Sequence, residues 1–295
     1  MINEKNIADF PAFSLYRPVH SDFIVHWSGK DIDDNCHSDW YNYPSSETDD
    51  CVTAQYVQRF KDILFNGLWM TTGGNEKITV NGTQYQKPAI SRTCFTELRL
   101  SDSRLHAKKF GRLGFGFKRM FLFDRLGRPV IYHFEGRPNI LFNPYTSIDL
   151  NNEKEILCFL KPICSRVKYK EKNQNKSKLV YDFFDEFEWR IIYSDAIGSK
   201  DTSLQKYFIN PQTTSDNDIK NYYSSITSPK KPDFLIPLGS WLSLIIFPSL
   251  DVKEEIISDI SVQKKLLEIK NSEGIMVRER KNFPVCLDLD ACRNF

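Results

Sequence analysis

The chain has 295 residues, of which 41% are hydrophobic and 26% charged, and its formal net charge is +2. This composition is typical of a globular protein and excludes a mainly disordered chain. The near balance of charge gives no general electrostatic reason to expect nucleic acid or an acidic membrane as an obligatory partner. The seven cysteines are an odd number without a Cys-x-x-Cys pair, and residues 1–10 carry no apolar signal core. These features predict a cytoplasmic protein with free thiols.

The most apolar stretch, residues 234–250, is interrupted by Pro237, Gly239 and Pro248. It is shorter than the roughly 20 residues that a membrane-spanning helix needs, so we expect a buried segment and no membrane partner. No Pro/Gly/Ser-rich linker divides the chain. We therefore predict a single domain, 1–295, with loop insertions at 31–50 and 199–232.

Three elements stand out in the first third of the chain. Residues 23–27 read Phe-Ile-Val-His-Trp and end at Ser28-Gly29, which predicts a short strand with a turn after it. Apolar residues at helical spacing predict a helix over 52–68, ended by a glycine. Alternating residues on both sides of Asn81-Gly82 predict a β-hairpin, because both central positions of a type I′ turn need positive φ.

The remaining predicted elements follow from the same kinds of pattern. Strands are predicted over 90–98, 113–122, 129–134 and 234–247, a β-rich segment over 183–193, a helix or strand over 153–164, a closing strand or pair over 275–289, and helices over 103–110 and 252–269. Strands and helices do not alternate as they do in doubly wound folds. We therefore predict an α+β fold with a split, mostly antiparallel sheet, flanked by the helices 52–68 and 252–269.

Several common chemistries lack their motifs. The chain has no P-loop, and Gly111, Gly114 and Gly116 do not match the dinucleotide fingerprint. The five histidines are not at metal-ligand spacing with cysteines or carboxylates, so no metal site is predicted. No Gly-x-Ser-x-Gly nucleophile elbow occurs either.

A pair of acidic residues, Glu186 and Glu188, is the strongest catalytic signal. Residues two apart on a strand face the same side, so both carboxylates would point into one cleft. One fixed carboxylate can stabilise the oxocarbenium-like centre formed when an N-glycosidic bond breaks, and the other can position or deprotonate an acceptor. The structural alternative is that Glu188 and Arg190 each pair with other charges at a sheet edge, or that the acids Asp185, Glu186 and Glu188 are simply solvated where the strand begins.

Six short blocks, at 26–28, 60–68, 94–97, 106–117, 129–132 and 186–190, occur in the order found in a known family. As an ordered set over roughly residues 22–250 they resemble the AbiGi family of bacterial abortive-infection proteins. That resemblance implies a role in phage defence. It also implies a protein partner from the same defence system, since this family is described as the antitoxin of a nucleotidyltransferase-like toxin.

The same order of blocks is similar to that of the ADP-ribosyltransferase superfamily. Ile63-Leu64-Phe65-Asn66-Gly67-Leu68 supplies the motif that ends the first helix in that superfamily. The resemblance implies NAD as co-substrate, with His26 on the ribose and Glu188 as the catalytic carboxylate. Glu186 would orient the acceptor, and Phe110 or Phe95 would stack on nicotinamide. Trp27, Ser28 and Thr96 complete the implied binding set. The chain departs from the superfamily in lacking a Ser-Thr-Ser triplet, since only Thr93 and Thr96 are present.

Two functions follow as expectations. One is an enzyme that binds or cleaves NAD and modifies a macromolecular target, and the other is a non-catalytic antitoxin or sensor that restrains a partner toxin.

The basic segment 168–178, with Lys168, Lys170, Lys172, Lys176 and Lys178, could contact nucleic acid, although such a run is usually a solvated loop. For a solvated catalytic carboxylate, Glu188→Gln is expected to remove activity and leave the melting temperature nearly unchanged.

Overall fold

The computed structural model describes most of the chain. The described residues are 23–36, 50–74, 76–97, 100–133, 150, 154–167, 179–183, 186–269 and 283–294. The basic segment 168–178 lies outside them, as do 37–49 of the first predicted insertion and 270–282, which precede the closing strand.

The described residues form strands and helices in the following order. The strands are β1 (Phe23–Ser28), β2 (Leu68–Thr72), β3 (Lys77–Val80), β4 (Thr83–Gln86), β5 (Ser91–Thr96), β6 (Leu113–Lys118), β7 (Arg128–Pro129), β8 (Ile131–His133), β9 (Leu160–Pro162), β10 (Cys164–Val167), β11 (Leu179–Asp182), β12 (Glu188–Tyr193), β13 (Phe234–Ile236), β14 (Leu242–Phe247) and β15 (Val285–Asp288). The helices are α1 (Lys30–Cys36), α2 (Asp50–Asn66), α3 (Ser103–Phe110), α4 (Met120–Phe123), α5 (Asp195–Lys200), α6 (Asn217–Ser225), α7 (Leu250–Ser258) and α8 (Ile260–Leu267).

A nine-stranded sheet runs in the order β13-β2-β5-β1-β6-β14-β15. Strand β12 pairs with β5 along its whole length and also pairs with β7. Every pairing in this sheet is antiparallel except that of β14 with β15. The chain is therefore an α+β protein with a mostly antiparallel sheet, and this part of the sequence-based prediction is confirmed.

The sheet opens beside β5. Because β12 occupies one edge of β5, β1 and β2 must share the other edge. Strand β2 pairs with its first residues, Ser91 and Arg92, and β1 pairs with it only through Val25 and Thr96. By contrast, β1 pairs with β6 over all six residues of β1. The strands β1 and β5 thus separate beyond one residue pair, and a gap opens between two halves of the sheet.

Helices α2, α7 and α8 cover one face of the sheet. Their apolar residues, including Phe60, Ile256 and Leu266, form the main core together with Phe95 and Ile191 of the sheet. A smaller cluster on the other face lies under α3 and contains Val25, Trp27, Ala107, Leu244 and Ile246. Within the described residues, no helix has the length and apolarity needed to span a bilayer.

A side lobe covers the same face of β5 and β12 as the cleft described below. It consists of β3, β4, β8, β9 and a 3-10 turn over Lys154–Phe159, and it has its own apolar cluster, Ile78, Val80, Leu150, Leu157 and Leu160. The lobe is attached to the sheet by polar contacts. The backbone N–H of Glu188 donates to the Tyr132 hydroxyl at 3.0 Å, and Arg190 donates to the carbonyl of Cys158.

The predicted hairpin, the first strand and the short helix 103–110 are present, with Asn81 and Gly82 at φ of 51° and 79°. Several predicted elements differ from the structure. The strand predicted over 129–134 is two strands, β7 and β8, which belong to different sheets, and the strand predicted over 234–247 is β13 and β14, which are not neighbours in the main sheet. The strand predicted over 113–122 ends at Lys118, and α4 follows it. The helix predicted over 252–269 is two helices, because Asp259 caps the second one by accepting from the N–H groups of Ser261 and Val262. The predicted loop insertions contain α1 and α6.

Gly111 ends α3 and lies against the end of β1. Its φ is 105°, and a Cβ there would lie 2.3 Å from both the Lys30 nitrogen and the Ser28 oxygen. We expect Gly111→Ala to lower the free energy of unfolding by about 2–4 kcal/mol, because it combines a strained backbone with an overlap against main-chain atoms that cannot move aside. Urea denaturation would measure this loss. Gly74→Ala is the matched control, since nothing lies within 4 Å of a Cβ there, and an equal loss in both variants would contradict the packing account.

Candidate functional site

A cleft of about 580 Å³ lies where β1 and β5 separate. Its lining comes from both halves of the sheet, from α3 and from the side lobe. His26, Trp27, Cys94, Thr96, Phe110, Lys161, Phe183, Glu186, Glu188 and Arg190 contribute, together with Glu76, Lys77, Lys87, Arg92 and Pro162. This volume is within the range of pockets that bind small molecules and cofactors.

Glu188 is held by two cations at the floor of the cleft. Arg190, two residues along the same strand, donates to Oε1 from Nε at 2.6 Å and to Oε2 from Nη2 at 3.0 Å. Lys161 of the side lobe donates to Oε2 at 2.7 Å. Burial alone would raise the pKa of Glu188, but the charges and hydrogen bonds of Arg190 and Lys161 outweigh burial and hold that pKa well below its usual range. The carboxylate is therefore ionised at neutral pH.

Glu186 faces the same lysine from a different backbone setting. It precedes β12 and is followed by Phe187 at φ 43°, in the left-handed region. Glu186 is not part of the strand, so the expectation that the two glutamates share one strand face is wrong. Their carboxylates nevertheless converge, since Lys161 donates to Oε2 of Glu186 at 2.5 Å and Lys109 contacts Oε1.

His26 crosses the gap between the two separated strands. Its Nδ1 lies 2.9 Å from the carbonyl oxygen of Cys94. A carbonyl can only accept, so Nδ1 carries the proton and Nε2 is an acceptor. Burial lowers the pKa of His26, against the opposing effect of this hydrogen bond, so the ring is neutral at pH 7. The side chain supplies a hydrogen bond that β1 would have made if the strands had stayed paired.

Positive charge is in excess in the cleft. The described lining residues include five lysines and arginines against three glutamates. Lys87 and Arg92 share one carboxylate, that of Glu76. Burial and the neighbouring charge of Arg190 lower the pKa of Lys87. A ligand that carries negative charge would relieve this repulsion.

The structure brings together six of the eight predicted site residues, namely His26, Trp27, Thr96, Phe110, Glu186 and Glu188. The role predicted for Phe95 is wrong. Its ring is 1% exposed and packs against Phe117 and Phe121 in the core, because Cys94 and Thr96 take the cleft face of β5. Ser28 also lies outside the lining, where its hydroxyl accepts from Arg59 Nη1 at 3.3 Å.

Sequence reasoning missed the lysines of the site. Lys161 lies in a three-residue strand, Leu-Lys-Pro, and Lys109 lies on a short polar helix, and neither belongs to a motif. Arg190 could have been found, since alternation along β12 places it beside Glu188. The structural alternative had both residues paired with charges at a sheet edge, and the structure pairs them with each other.

The fold and the site define an α+β protein with a charged, ligand-sized cleft at the opening of its sheet. No protein-family model, curated protein or solved structure matches the chain. The functional argument therefore depends on the geometry of this cleft.

The burial of Glu188 overturns the expectation that it can be replaced without cost to stability. Its side chain is 6% exposed, and Glu188→Gln would leave the buried Arg190 without its carboxylate. We expect a loss of about 3–5 kcal/mol at pH 7. The folded-state pKa is lowered, so this contribution is complete above the unfolded pKa of about 4.3 and is lost as the pH falls below it toward the folded value. Urea denaturation of both proteins across pH should show their difference shrinking in acid, and a constant difference would refute the assignment.

Cys94 gives a second prediction. The thiol faces the cleft, but the protein atoms around it and the Glu188 charge raise its pKa to about 12. At pH 8 about one such thiol in 10,000 is a thiolate, against about a quarter for an ordinary cysteine of pKa near 8.5. We expect alkylation of Cys94, followed by peptide mass spectrometry, to be at least about 100-fold slower than in the unfolded chain. Equal rates would show that the surrounding protein atoms and the Glu188 charge do not hold the thiol protonated in solution.

Proposed function

We propose that the chain is an ADP-ribosyltransferase-like enzyme of a bacterial phage-defence system, which binds NAD in the cleft and breaks its bond between nicotinamide and ribose. The observation that carries this proposal is the convergence of His26, Phe110, Glu186 and Glu188 in one cleft. These residues come from three separate parts of the chain, and each has the chemistry that the reaction needs.

The size and the charge of the cleft support a dinucleotide as the ligand. NAD carries a negatively charged pyrophosphate, and the described lining has more lysines and arginines than glutamates. Lys87 and Arg92 lie at the end of the cleft that contains Glu76, and both are suited to contact phosphate oxygens. Phe110 offers an aromatic face at the other end, and His26 Nε2 can accept a hydrogen bond from a ribose hydroxyl.

Glu188 would stabilise the positive charge that develops on the ribose as the glycosidic bond breaks. The carboxylate is ionised, and Arg190 fixes its orientation through two hydrogen bonds. A group fixed before the reaction needs no reorganisation when charge develops. The bonding electrons leave with the nicotinamide nitrogen, and Glu186 would take the proton of the acceptor that attacks the ribose carbon.

The alternative function is that of a non-catalytic antitoxin or sensor that binds a partner protein. One observation favours it: both oxygens of Glu188 and both oxygens of Glu186 already contact lysine or arginine. Structural ion networks have this pattern too. Measurement of NAD turnover distinguishes the two functions.

The test compares two variants that each break a buried ion pair. Glu188→Gln breaks the pair in the cleft. Asp33→Asn breaks the pair with Arg112, whose atoms lie 2.8 Å apart and whose side chains are 3% and 2% exposed, outside the cleft lining. We expect Glu188→Gln to slow the release of nicotinamide from NAD by roughly 100-fold or more, since one electrostatic group typically contributes that much.

Asp33→Asn, which also takes a carboxylate away from a buried arginine, should keep a rate within a few-fold of the wild-type rate at a temperature well below both unfolding transitions. If both variants lose activity equally, the loss reflects stability and not chemistry. If the wild-type protein consumes no NAD, either purified or in phage-infected cells that express it, the enzyme proposal fails and the partner-binding function replaces it.

A further inference from the structure

Two carboxylates and two aromatic rings surround the ammonium groups at one end of the cleft. Lys161 Nζ lies 2.5 Å from Glu186 Oε2, 2.7 Å from Glu188 Oε2 and 4.5 Å from the centre of the Phe183 ring. Lys109 Nζ contacts Glu186 and lies 4.8 Å from the centre of the Phe110 ring. Carboxylates and aromatic faces are the groups with which proteins bind organic cations.

Lys161 is not needed to neutralise either carboxylate on its own. Glu188 keeps its bidentate contact with Arg190, and Glu186 keeps Lys109. Lys161 also comes from a different part of the fold, since it belongs to the side lobe whereas Glu188 begins β12. Its ammonium group therefore occupies a place between the carboxylates that another cation could take.

We propose that this end of the cleft is a binding site for an aromatic organic cation of the pyridinium class, and that the Lys161 ammonium occupies it until the ligand displaces it. The inference rests on the proposed function in one respect: the nicotinamide ring of NAD is such a cation. It adds that the protein's own lysine competes for the place of that ring.

This competition has a measurable consequence. A tethered ammonium group competes at an effective concentration in the millimolar range or above, so it weakens every cationic ligand that needs the same carboxylates. Removal of the ammonium group should strengthen binding of a cation. It should not strengthen binding of a neutral molecule of the same shape.

The probes are 1-methylnicotinamide, which is a pyridinium cation without phosphate, and nicotinamide, which is its neutral counterpart. The variants are Lys161→Met and the matched control Lys87→Met. Both remove one positive charge from the lining, but Lys87 contacts Glu76 and not the two carboxylates of the site. Calorimetry would measure each dissociation constant after circular dichroism has shown that the variants are folded.

We expect Lys161→Met to bind 1-methylnicotinamide about tenfold more tightly than the wild type, the scale on which one close charge contact changes affinity. Lys87→Met should change the affinity by no more than about threefold, as expected for a more distant charge. Binding of nicotinamide should stay the same in all three proteins. If Lys161→Met does not fold, Lys161→Gln carries the same test, because its amide can still donate to a carboxylate.

Three outcomes would overturn the inference. An equal gain in both lysine variants would assign the effect to the total charge of the cleft. An equal gain for nicotinamide would assign it to the space left by the side chain, and no gain would show that Lys161 does not compete. The proposed function fails separately: a protein that consumes no NAD can still bind 1-methylnicotinamide more tightly without Lys161.

Discussion

The separation of β1 from β5 after the single pair Val25 and Thr96 decides where a ligand can bind. A sheet with fully paired strands offers no gap, and two separating strands expose backbone groups that need partners. One of these groups, the Cys94 carbonyl, accepts its hydrogen bond from the His26 side chain. Strand β1 stays with β6, whose Gly114 and Gly116 let neighbouring side chains of β1 and β14 approach the backbone closely. The opening is therefore built into the sheet, and it holds a histidine at its edge.

Burial of so many charges in the cleft calls for an explanation beyond stability. A buried ion pair often contributes no more than well-packed apolar residues of the same volume, because both charges lose their hydration. Burial and pairing alone do not indicate function, since Asp33 and Arg112 are as buried as Glu188 and Arg190. The cleft differs in that its charges face a space of ligand size and come from several segments. Convergence of charges from several segments on such a space is the feature on which the proposed function depends.

Local sequence patterns predicted the short-range elements of the fold. Contacts between segments that are distant in the sequence could not be predicted. The Asn81-Gly82 hairpin, β1 and α3 follow from turn chemistry and periodicity within a few residues. Strand alternation correctly predicted that Glu188 faces a cleft. In β5, the sequence from Arg92 to Thr96 does not show which face is buried, and the prediction that Phe95 faces the cleft is therefore wrong. Lys161 reaches Glu186 from 25 residues away through a separate lobe, and no spacing rule encodes that contact. The Asp259 cap, by contrast, was readable from the sequence and was overlooked.

The two cations on Glu188 have different consequences for a ligand. Arg190 lies on the same strand and donates to both oxygens of Glu188. It can therefore keep the carboxylate in place whether or not a ligand is present. Lys161 comes from the side lobe and contacts only Oε2. If a ligand cation displaced Lys161, Oε2 of Glu188 would face the ligand, and Arg190 would still hold the carboxylate in the same orientation. Electrostatic stabilisation requires a carboxylate that is fixed in this way. Displacement of Lys161 would also release the side lobe from one of its contacts with the sheet, so that ligand binding and the position of the lobe are physically linked.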